Sequence, residues 1–329
     1  MKVFGYYYTG NLTKIDEKTI SSIDVINVAF GRVNNNIIEE VPINTIAYEY
    51  IQEARNKYGV KIVLSLGGYG ARGKAYSDIA FEEKNRKIFS ENVLETIIKY
   101  NFDGIDLDWE YPGFETNRSV EIDRPNYTLL LKEVYNKVKS YNKDLIVSAA
   151  LPAGPWGISR YEVAKIDKYL DYLHIMTYDL DASNKVTSMT PLYHNPLTTV
   201  LGCSVDESIK LYIEKGASIN KLVVGIAFYG RKYKLENVNE LFGNYISKSS
   251  IKYSNIKTNY IDLGCEEKYD DIAHMAYLVK DDELISYDSG KSVLDKINYT
   301  KRLNLAGIMF WEYASDSSYT LMEVIKKNK

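Results

Sequence analysis

The chain has 329 residues, of which 45% are hydrophobic and 26% are charged, as in an ordinary globular protein that buries a core without disulfides or metal. A net charge of −3 and a pI near 5.8 argue against nucleic acid or an anionic membrane as the partner and favour a neutral ligand. Cys203 and Cys265 show no CxxC or His-paired spacing, so we expect two free thiols. Neither a metal nor a cofactor is indicated.

Targeting signals are not evident in the sequence. No apolar run approaches the length of a membrane-spanning helix. The opening residues MKVFGYYYTG lack the apolar segment of a signal peptide. The compartment therefore stays open: the chain is either cytoplasmic or secreted after removal of a leader.

Short apolar runs recur along the chain, and each reads as a buried parallel strand. In chain order they are Val3–Tyr8, Val25–Val33, Lys61–Gly68, Gly104–Trp109, Leu145–Pro152, Tyr172–Tyr178, Leu222–Gly230 and Ala306–Trp311. The segments between them have apolar residues at helical spacing, clearest over 44–59, 81–101, 125–142 and 204–218. About eight strand–helix units predict a (β/α)₈ barrel. A doubly wound open sheet is the alternative, but the sequence has no Gly-rich phosphate turn.

One interval interrupts this alternation. Residues 232–279 contain short strand-like pieces and no long amphipathic helix. We therefore predict a small α+β insertion between the seventh and eighth strands. The barrel domain would then comprise residues 1–231 and 280–329.

The fourth predicted strand carries a row of acids. In FDGIDLDWEYPG, residues 102–113, Asp106, Asp108 and Glu110 alternate with apolar residues. Alternation along a strand places their carboxyls on one face, about 6.6 Å apart. In a barrel that face is the interior, and Glu110 would lie outermost at the C-terminal mouth, where barrel active sites are found. Crowding and burial raise the pKa of a carboxyl, which suits a general acid.

Two non-catalytic explanations fit the acid row less well. A calcium loop needs a flexible turn with Gly at its sixth position, whereas here the alternate residues are apolar. A solvated edge strand would not carry so apolar a second face. Asp103, at the start of the strand, is more consistent with a structural role.

The complete motif D-G-x-D-x-D-W-E, Asp103 to Glu110, resembles the signature of glycoside hydrolase family 18, the chitinases. Further segments resemble the family's motifs on other strands, in the same order over nearly the whole chain. They are GYY at Gly5–Tyr7, SLGG at Ser65–Gly68, MTYD at Met176–Asp179, FYGR at Phe228–Arg231 and GIMFWEYASD at Gly307–Asp316. The resemblance implies hydrolysis of β-1,4-linked N-acetylglucosamine in chitin or its oligomers.

The same resemblance implies a role for each catalytic residue. Glu110 would protonate the leaving oxygen, and the substrate's own acetamido carbonyl would attack the anomeric carbon, giving an oxazolinium intermediate and retention. Asp108 would orient the acetamido N–H and share a proton with Asp106. Tyr178 would hydrogen-bond the acetamido oxygen.

Further residues are implied in substrate binding: Tyr6, Phe30, Ser65, Gly68, Tyr69, Met176, Asp179, Tyr229, Arg231 and Trp311. Of these, Tyr6 and Ser65 would support the buried Asp106. Trp311 would form the floor under the sugar at the cleavage site, although Trp311 and Met176 also fit plain core packing. No protein partner is implied.

The chain departs from the family pattern at three places, one of which is an insertion shorter than the family's full insertion domain. Tyr69 stands where many members have Trp, and the segment after Asp179 lacks the His-Gly often found there. For Trp156, after the fifth strand, we favour packing over sugar stacking. Two other functions stay open: an endo-β-N-acetylglucosaminidase acting on N-glycans, and a non-catalytic chitin-binding lectin, against which the presence of Glu110 argues.

Overall fold

Eight parallel strands close into a barrel in the computed structural model of the chain. The structure describes residues 1–11, 15–70, 72–181, 183–198, 202–236 and 241–329. The barrel strands are β1 (Lys2–Tyr8), β2 (Val25–Asn34), β4 (Lys61–Gly67), β5 (Gly104–Asp108), β6 (Ile146–Pro152), β7 (Tyr172–Met176), β8 (Leu222–Ala227) and β14 (Gly307–Trp311). They follow chain order, and β1 pairs with both β2 and β14, which closes the sheet. The predicted (β/α)₈ barrel is confirmed.

Helices cover the outside of the barrel. They are α1 (Glu17–Ile20), α2 (Thr45–Tyr58), α3 (Arg72–Phe81), α4 (Glu83–Tyr100), α5 (Val120–Tyr141), α6 (Gly154–Ile158), α7 (Val163–Ile166), α8 (Val205–Glu214), α10 (Gly290–Arg302) and α11 (Thr320–Asn328), with α9 (Tyr253–Ile256) outside the barrel. The four predicted helices correspond to α2, α4, α5 and α8, although α5 begins at Val120, five residues before the predicted start. Within the described ranges, no helix is both long and apolar enough to cross a membrane.

The predicted insertion is a second, antiparallel sheet. Its strands are β9 (Tyr229–Leu235), β10 (Tyr245–Lys252), β11 (Glu267–Asp270), β12 (Met275–Lys280) and β13 (Glu283–Tyr287), in the order β10-β9-β13-β12-β11. This sheet extends beyond the predicted interval 232–279 at both ends, and the division at those residues stays a prediction. The remaining strand, β3 (Ile37–Glu40), forms a hairpin with β2.

Side-chain alternation along the barrel strands produces two apolar layers. On β5, Ile105 and Leu107 belong to the large core between strands and helices. A smaller cluster, which includes Phe4, Val63 and Met309, fills the barrel interior. The acids of β5 therefore point inward, as the alternation predicts.

Asp103 anchors the N-terminal end of β5. Its carboxylate accepts hydrogen bonds from the backbone N–H of Ile62 at 2.7 Å and from the Arg55 guanidinium at 2.5 Å. These contacts join β5 to β4 and α2 at the end of the barrel opposite Glu110. The expected structural role of Asp103 agrees with this position.

Replacing Asp103 tests that role. Asp103→Ala leaves the Ile62 N–H and the Arg55 guanidinium without their acceptor, so we expect a loss of about 1–3 kcal/mol in the free energy of unfolding. Urea denaturation measures this loss. Because Asp103 lies at the far end of the strand, the pH at which Glu110 titrates should not move; an altered Glu110 titration would contradict the assignment.

Candidate active site

A large cleft opens at the C-terminal mouth of the barrel. Its volume is about 1010 Å³, enough for a ligand of several sugar units. Ten of the residues implied in the site line it: Tyr6, Phe30, Tyr69, Asp108, Glu110, Met176, Tyr178, Asp179, Tyr229 and Trp311. Four do not, namely Asp106, Ser65, Gly68 and Arg231; they lie behind the lining.

Asp106 is fully buried in the barrel interior and receives three hydroxyl hydrogen bonds. One carboxyl oxygen accepts from Tyr6 at 3.0 Å and from Ser65 at 2.7 Å. The other accepts from Ser148 at 2.7 Å. A buried carboxyl needs such partners, because an unpaired one would carry a large desolvation cost. Hydroxyl groups from β1, β4 and β6 thus donate to one carboxyl. Tyr6 and Ser65 contact Asp106 as the sequence analysis predicts.

His174 completes the surroundings of Asp106. Its Nδ1 lies 2.9 Å from the Tyr6 hydroxyl and 3.6 Å from an Asp106 oxygen. Burial lowers the pKa of His174 to about 4, so the ring is neutral near pH 7. Since the Tyr6 hydroxyl gives its single proton to Asp106, the ring proton belongs on Nδ1, where it donates to Tyr6. Nε2 has no hydrogen-bond partner among the described residues.

The acid row becomes more accessible toward the mouth. Asp108 is 3% exposed, whereas Glu110 is half-buried in the cleft lining. Burial raises the pKa of Glu110 to about 7, the nearby Asp179 charge adds to the rise, and a hydrogen bond with Tyr111 opposes it. A carboxyl that titrates near neutrality and faces a cleft can act as both proton donor and acceptor.

The glycines that end β4 allow the close approach that positions Asp108. A Cβ on Gly67 would lie 2.1 Å from the carbonyl oxygen of Asp108, and one on Gly68 would lie 2.7 Å from the Phe30 ring. Both residues have positive φ, and the Gly68 N–H donates to the same Asp108 carbonyl at 3.0 Å. Gly68 therefore shapes the site without lining it.

Trp311 forms an aromatic floor with its neighbours. Its ring is stacked on Phe30, with centroids 5.2 Å apart, and lies 5.8 Å from Tyr6 and 6.1 Å from Tyr8. Trp311 and Met176 also pack on the barrel-interior cluster. Both side chains therefore contribute to packing and also line the cleft, and their role in substrate binding stays a prediction.

A charged network stands beside the acid row. Arg231 pairs with Asp179 at 2.6 Å and with the buried Asp181 at 3.0 Å. Lys248, from β10, reaches Asp181 at 2.9 Å, and the Tyr229 hydroxyl donates to Asp179 at 2.9 Å. Through these contacts, the second sheet binds the segment that follows β7. Arg231 acts on the cleft through Asp179, since it does not line the cleft itself.

Tyr178 projects into the cleft from the end of β7. Burial raises the pKa of its phenol well above the usual value, and the charges of Asp108 and Glu110 add to the rise. Tyr178 therefore keeps its proton and can donate it to an acceptor oxygen in the cleft.

Trp156 lines the cleft and is 54% exposed, and it also packs against neighbouring side chains, so the choice between packing and sugar stacking stays a prediction. Tyr111 and Phe114 meet its ring edge-on, at centroid distances of 5.7 and 5.5 Å. The Arg160 guanidinium lies 4.0 Å from the ring centroid. These neighbours hold the indole in place on the short helix α6, which the sequence pattern did not predict.

Sequence reasoning missed several further residues. Ser148 and His174 contact the Asp106 network, Asp181 joins the charged network, and Tyr111 interacts with Glu110. A signal existed for the first two, because each is a polar residue on the inward face of an otherwise apolar strand. Cys203 also lines the cleft, and both cysteines are free thiols, as expected. In the described part of the chain, no cluster of three His, Cys, Asp or Glu residues is arranged to hold a metal ion.

Fold and site together define a barrel protein of the glycoside hydrolase type. The model of the family "Glycosyl hydrolases family 18" matches residues 2–316. The chain belongs to this family.

Relatives agree with this assignment. Chitinase A1 of Niallia circulans is 30% identical over 296 residues, which are 81% of this chain and 42% of the relative, so the chain spans less than half of that protein's length. A solved family 18 N-acetylglucosaminidase from Paenibacillus barengoltzii is 29% identical, with a TM-score of 0.92 over 100% of this chain and 99% of that one. A chitinase-like agglutinin from Robinia pseudoacacia is 27% identical, with a TM-score of 0.84 over 99% and 98%.

The raised pKa of Glu110 has a consequence for stability. A carboxyl whose pKa rises from 4.5 to about 7 on folding costs stability once it ionises, so this cost grows between those pH values. Below pH 4.5, we expect Glu110→Gln and the wild type to have about the same free energy of unfolding. Above pH 7 the variant should be more stable by up to about 3 kcal/mol.

Urea denaturation from pH 4 to 8 measures this difference. Glu95→Gln, on the exposed face of α4, is the control because it removes a glutamate that is not buried. If the free energy of unfolding of Glu110→Gln differs from that of the wild type by the same amount at every pH, the carboxyl is not buried as described.

Proposed function

We propose that the chain hydrolyses β-1,4-linked N-acetylglucosamine in chitin or chitooligosaccharides, with retention of configuration. The observation that carries this proposal is Glu110: a half-buried carboxyl with a pKa of about 7, at the top of a buried acid row and facing an aromatic-floored cleft. Membership of family 18 and the similarity to chitinase A1 support the substrate class.

The proposed reaction begins with the protonated Glu110. It donates its proton to the glycosidic oxygen, and the bond from that oxygen to the anomeric carbon breaks. The acetamido carbonyl oxygen of the same sugar forms the new bond at the anomeric carbon, giving an oxazolinium ion. Water then attacks this carbon from the other face and loses a proton to the Glu110 carboxylate, which restores the acid. Two inversions give net retention.

The buried position of Asp108 favours attack by the substrate over attack by the protein. A retaining glycosidase with its own nucleophile needs a second carboxylate exposed to the anomeric carbon. Asp108 is 3% exposed and lies deeper in the barrel than Glu110, which suits orientation of an acetamido N–H better than attack. Tyr178 stays protonated and is available for the acetamido oxygen. Proton sharing between Asp106 and Asp108 remains part of this proposal.

The shape of the cleft supports an oligomeric substrate. Trp311 provides one aromatic surface, while Trp156 and the 67%-exposed Tyr69 provide others away from it. Flat aromatic faces suit the apolar faces of sugar rings. We assign Trp156 to sugar stacking, where it would offset the smaller area of Tyr69.

Two other functions have specific support. The Paenibacillus structure favours an N-acetylglucosaminidase, and the Robinia agglutinin favours a sugar-binding protein without activity. The raised pKa of Glu110 argues against the second, because binding alone has no need of a neutral-range acid. A product profile from chitohexaose beside an N-glycoprotein separates all three.

Removing the acid should abolish turnover. We expect Glu110→Gln to lower kcat on chitotetraose by about 10²–10⁴-fold with the fold intact, since Gln cannot donate the proton. The wild-type rate should fall as pH rises above about 7, where Glu110 loses that proton. Glu95→Gln should keep full activity. Near-wild-type turnover by Glu110→Gln, or a rate still rising above pH 9, would refute the role.

Removing the acetamido group tests the nucleophile. A fully deacetylated chitosan hexamer lacks the attacking carbonyl, so we expect hydrolysis at least about 10³-fold slower than that of the acetylated hexamer. Chromatography of the products from the two hexamers gives the comparison. Comparable cleavage of both would exclude substrate assistance.

A further inference from the structure

A fully buried ion pair lies behind the barrel wall, away from the acid row. Lys296, on α10, and Asp288, between β13 and α10, are both 0% exposed. The Lys296 ammonium lies 2.6 and 2.8 Å from the two Asp288 oxygens and 2.6 Å from the Thr190 hydroxyl. The proposed reaction does not use this pair.

Every polar group of the pair has a partner. The three protons of the ammonium meet three acceptor atoms. The Asp288 oxygens also accept from the backbone N–H of Ala227 at 3.1 Å and from the Ser292 hydroxyl at 2.8 Å. Buried ion pairs add little stability by comparison with apolar residues, but a fully satisfied one fixes the segments that it joins. Here it joins the end of β8, the return from the second sheet, and the loop that holds Thr190.

The pair is linked to the segment that carries Tyr178. Thr190 accepts from Lys296 and donates its own proton to the carbonyl of Thr177 at 2.7 Å. The Thr177 hydroxyl in turn donates to the Gly225 carbonyl at 2.8 Å and accepts from the Gly225 N–H at 2.9 Å. These bonds secure the residue immediately before Tyr178 to β8.

The Tyr178 ring lies against the same point of β8. A Cβ on Gly225 would lie 2.9 Å from a ring carbon of Tyr178, so the ring occupies the space that a side chain there would need. Tyr178 packs against a small apolar cluster that contains Met189, next to Thr190, and the Met189 carbonyl accepts from the Leu180 N–H at 2.8 Å. The loop containing Thr190 therefore supports Tyr178 from both its backbone and its ring.

We propose that the Asp288–Lys296–Thr190 chain is a positioning device that holds Tyr178 where it meets the acetamido oxygen of the substrate. This inference rests on the proposed function for the role of Tyr178. It adds residues that the reaction needs but that never touch the sugar, and it couples the site to the second sheet, which ends one residue before Asp288.

Breaking one link tests the device without unpairing a charge. Thr190→Val keeps the shape of the side chain and the Asp288–Lys296 pair but removes the hydroxyl, which donates to the Thr177 carbonyl and accepts from Lys296. Thr190→Ser keeps the hydroxyl and is the matched rescue. A second variant, Asp288→Asn with Lys296→Met, removes both charges together and leaves an acceptor for the Ala227 N–H.

Two readouts separate positioning from loss of stability. The first is amide hydrogen exchange over residues 177–180, which we expect to quicken about tenfold in Thr190→Val and in the double variant, but not in Thr190→Ser. The second is kcat on chitotetraose, together with the affinity for a chitobiose thiazoline, a stable mimic of the oxazolinium. Both should fall about tenfold in the wild-type background and should not fall further in a Tyr178→Phe background, since the device acts through Tyr178.

A partly exposed ion pair at the opposite end of the barrel is the control. Lys139 pairs with Asp171 at 2.7 Å, and Asp171 accepts from the Val147 N–H at 2.8 Å. Asp171→Asn with Lys139→Met should lower the melting temperature but leave exchange at 177–180 and kcat within twofold of the wild type.

The outcomes separate the two proposals. Unchanged exchange at 177–180 in folded Thr190→Val, or an equal loss of kcat with and without the Tyr178 hydroxyl, would overturn the positioning device. A wild-type protein that cleaves no chitooligosaccharide would overturn the proposed function instead. Hydrogen exchange at residues 177–180 would then still test whether the Asp288–Lys296–Thr190 chain positions that segment.

Discussion

The site depends on one buried carboxyl at the centre of the barrel. Asp106 has no contact with solvent, so it must be satisfied by protein groups, and it receives hydroxyls from β1, β4 and β6. These donors converge because the strands form a closed ring around it. The neutral His174 on β7 then orients the Tyr6 hydroxyl toward the acid. The buried Asp106 therefore needs the barrel to be closed, because only closure brings the three hydroxyl donors to it.

From this anchor, a gradient of exposure runs up β5. The acids on its inward face pass from fully buried Asp106 to Asp108 and then to half-buried Glu110, which has cleft on one side and protein on the other. The partial burial raises the Glu110 pKa to about 7, while Asp179 adds to the rise and is itself paired with Arg231. The second sheet thus influences the acid electrostatically, because its Arg231 pairs with Asp179.

Much of this arrangement could be predicted from the sequence. Barrel strands were predicted to within about three residues at either end, because near-continuous apolar runs are bounded by polar turns. The start of the second sheet was hard to predict, because β9 follows β8 after a single residue, Phe228, and the sequence pattern of the two resembles one strand. Ser148 and His174 were missed because barrel closure brings their partners together, and Asp181 was missed because its partners Arg231 and Lys248 come from the second sheet. The exposure of Trp156 could not be predicted, because it depends on where α6 lies.

The account's central claim is that Glu110 works with the acetamido group of the substrate and needs no protein nucleophile. The most direct measurement is the configuration of the reducing end newly formed from chitohexaose, followed by proton NMR before mutarotation. Substrate-assisted attack followed by water predicts that the β-anomer appears first. First appearance of the α-anomer would mean a single direct displacement by water and would contradict the account.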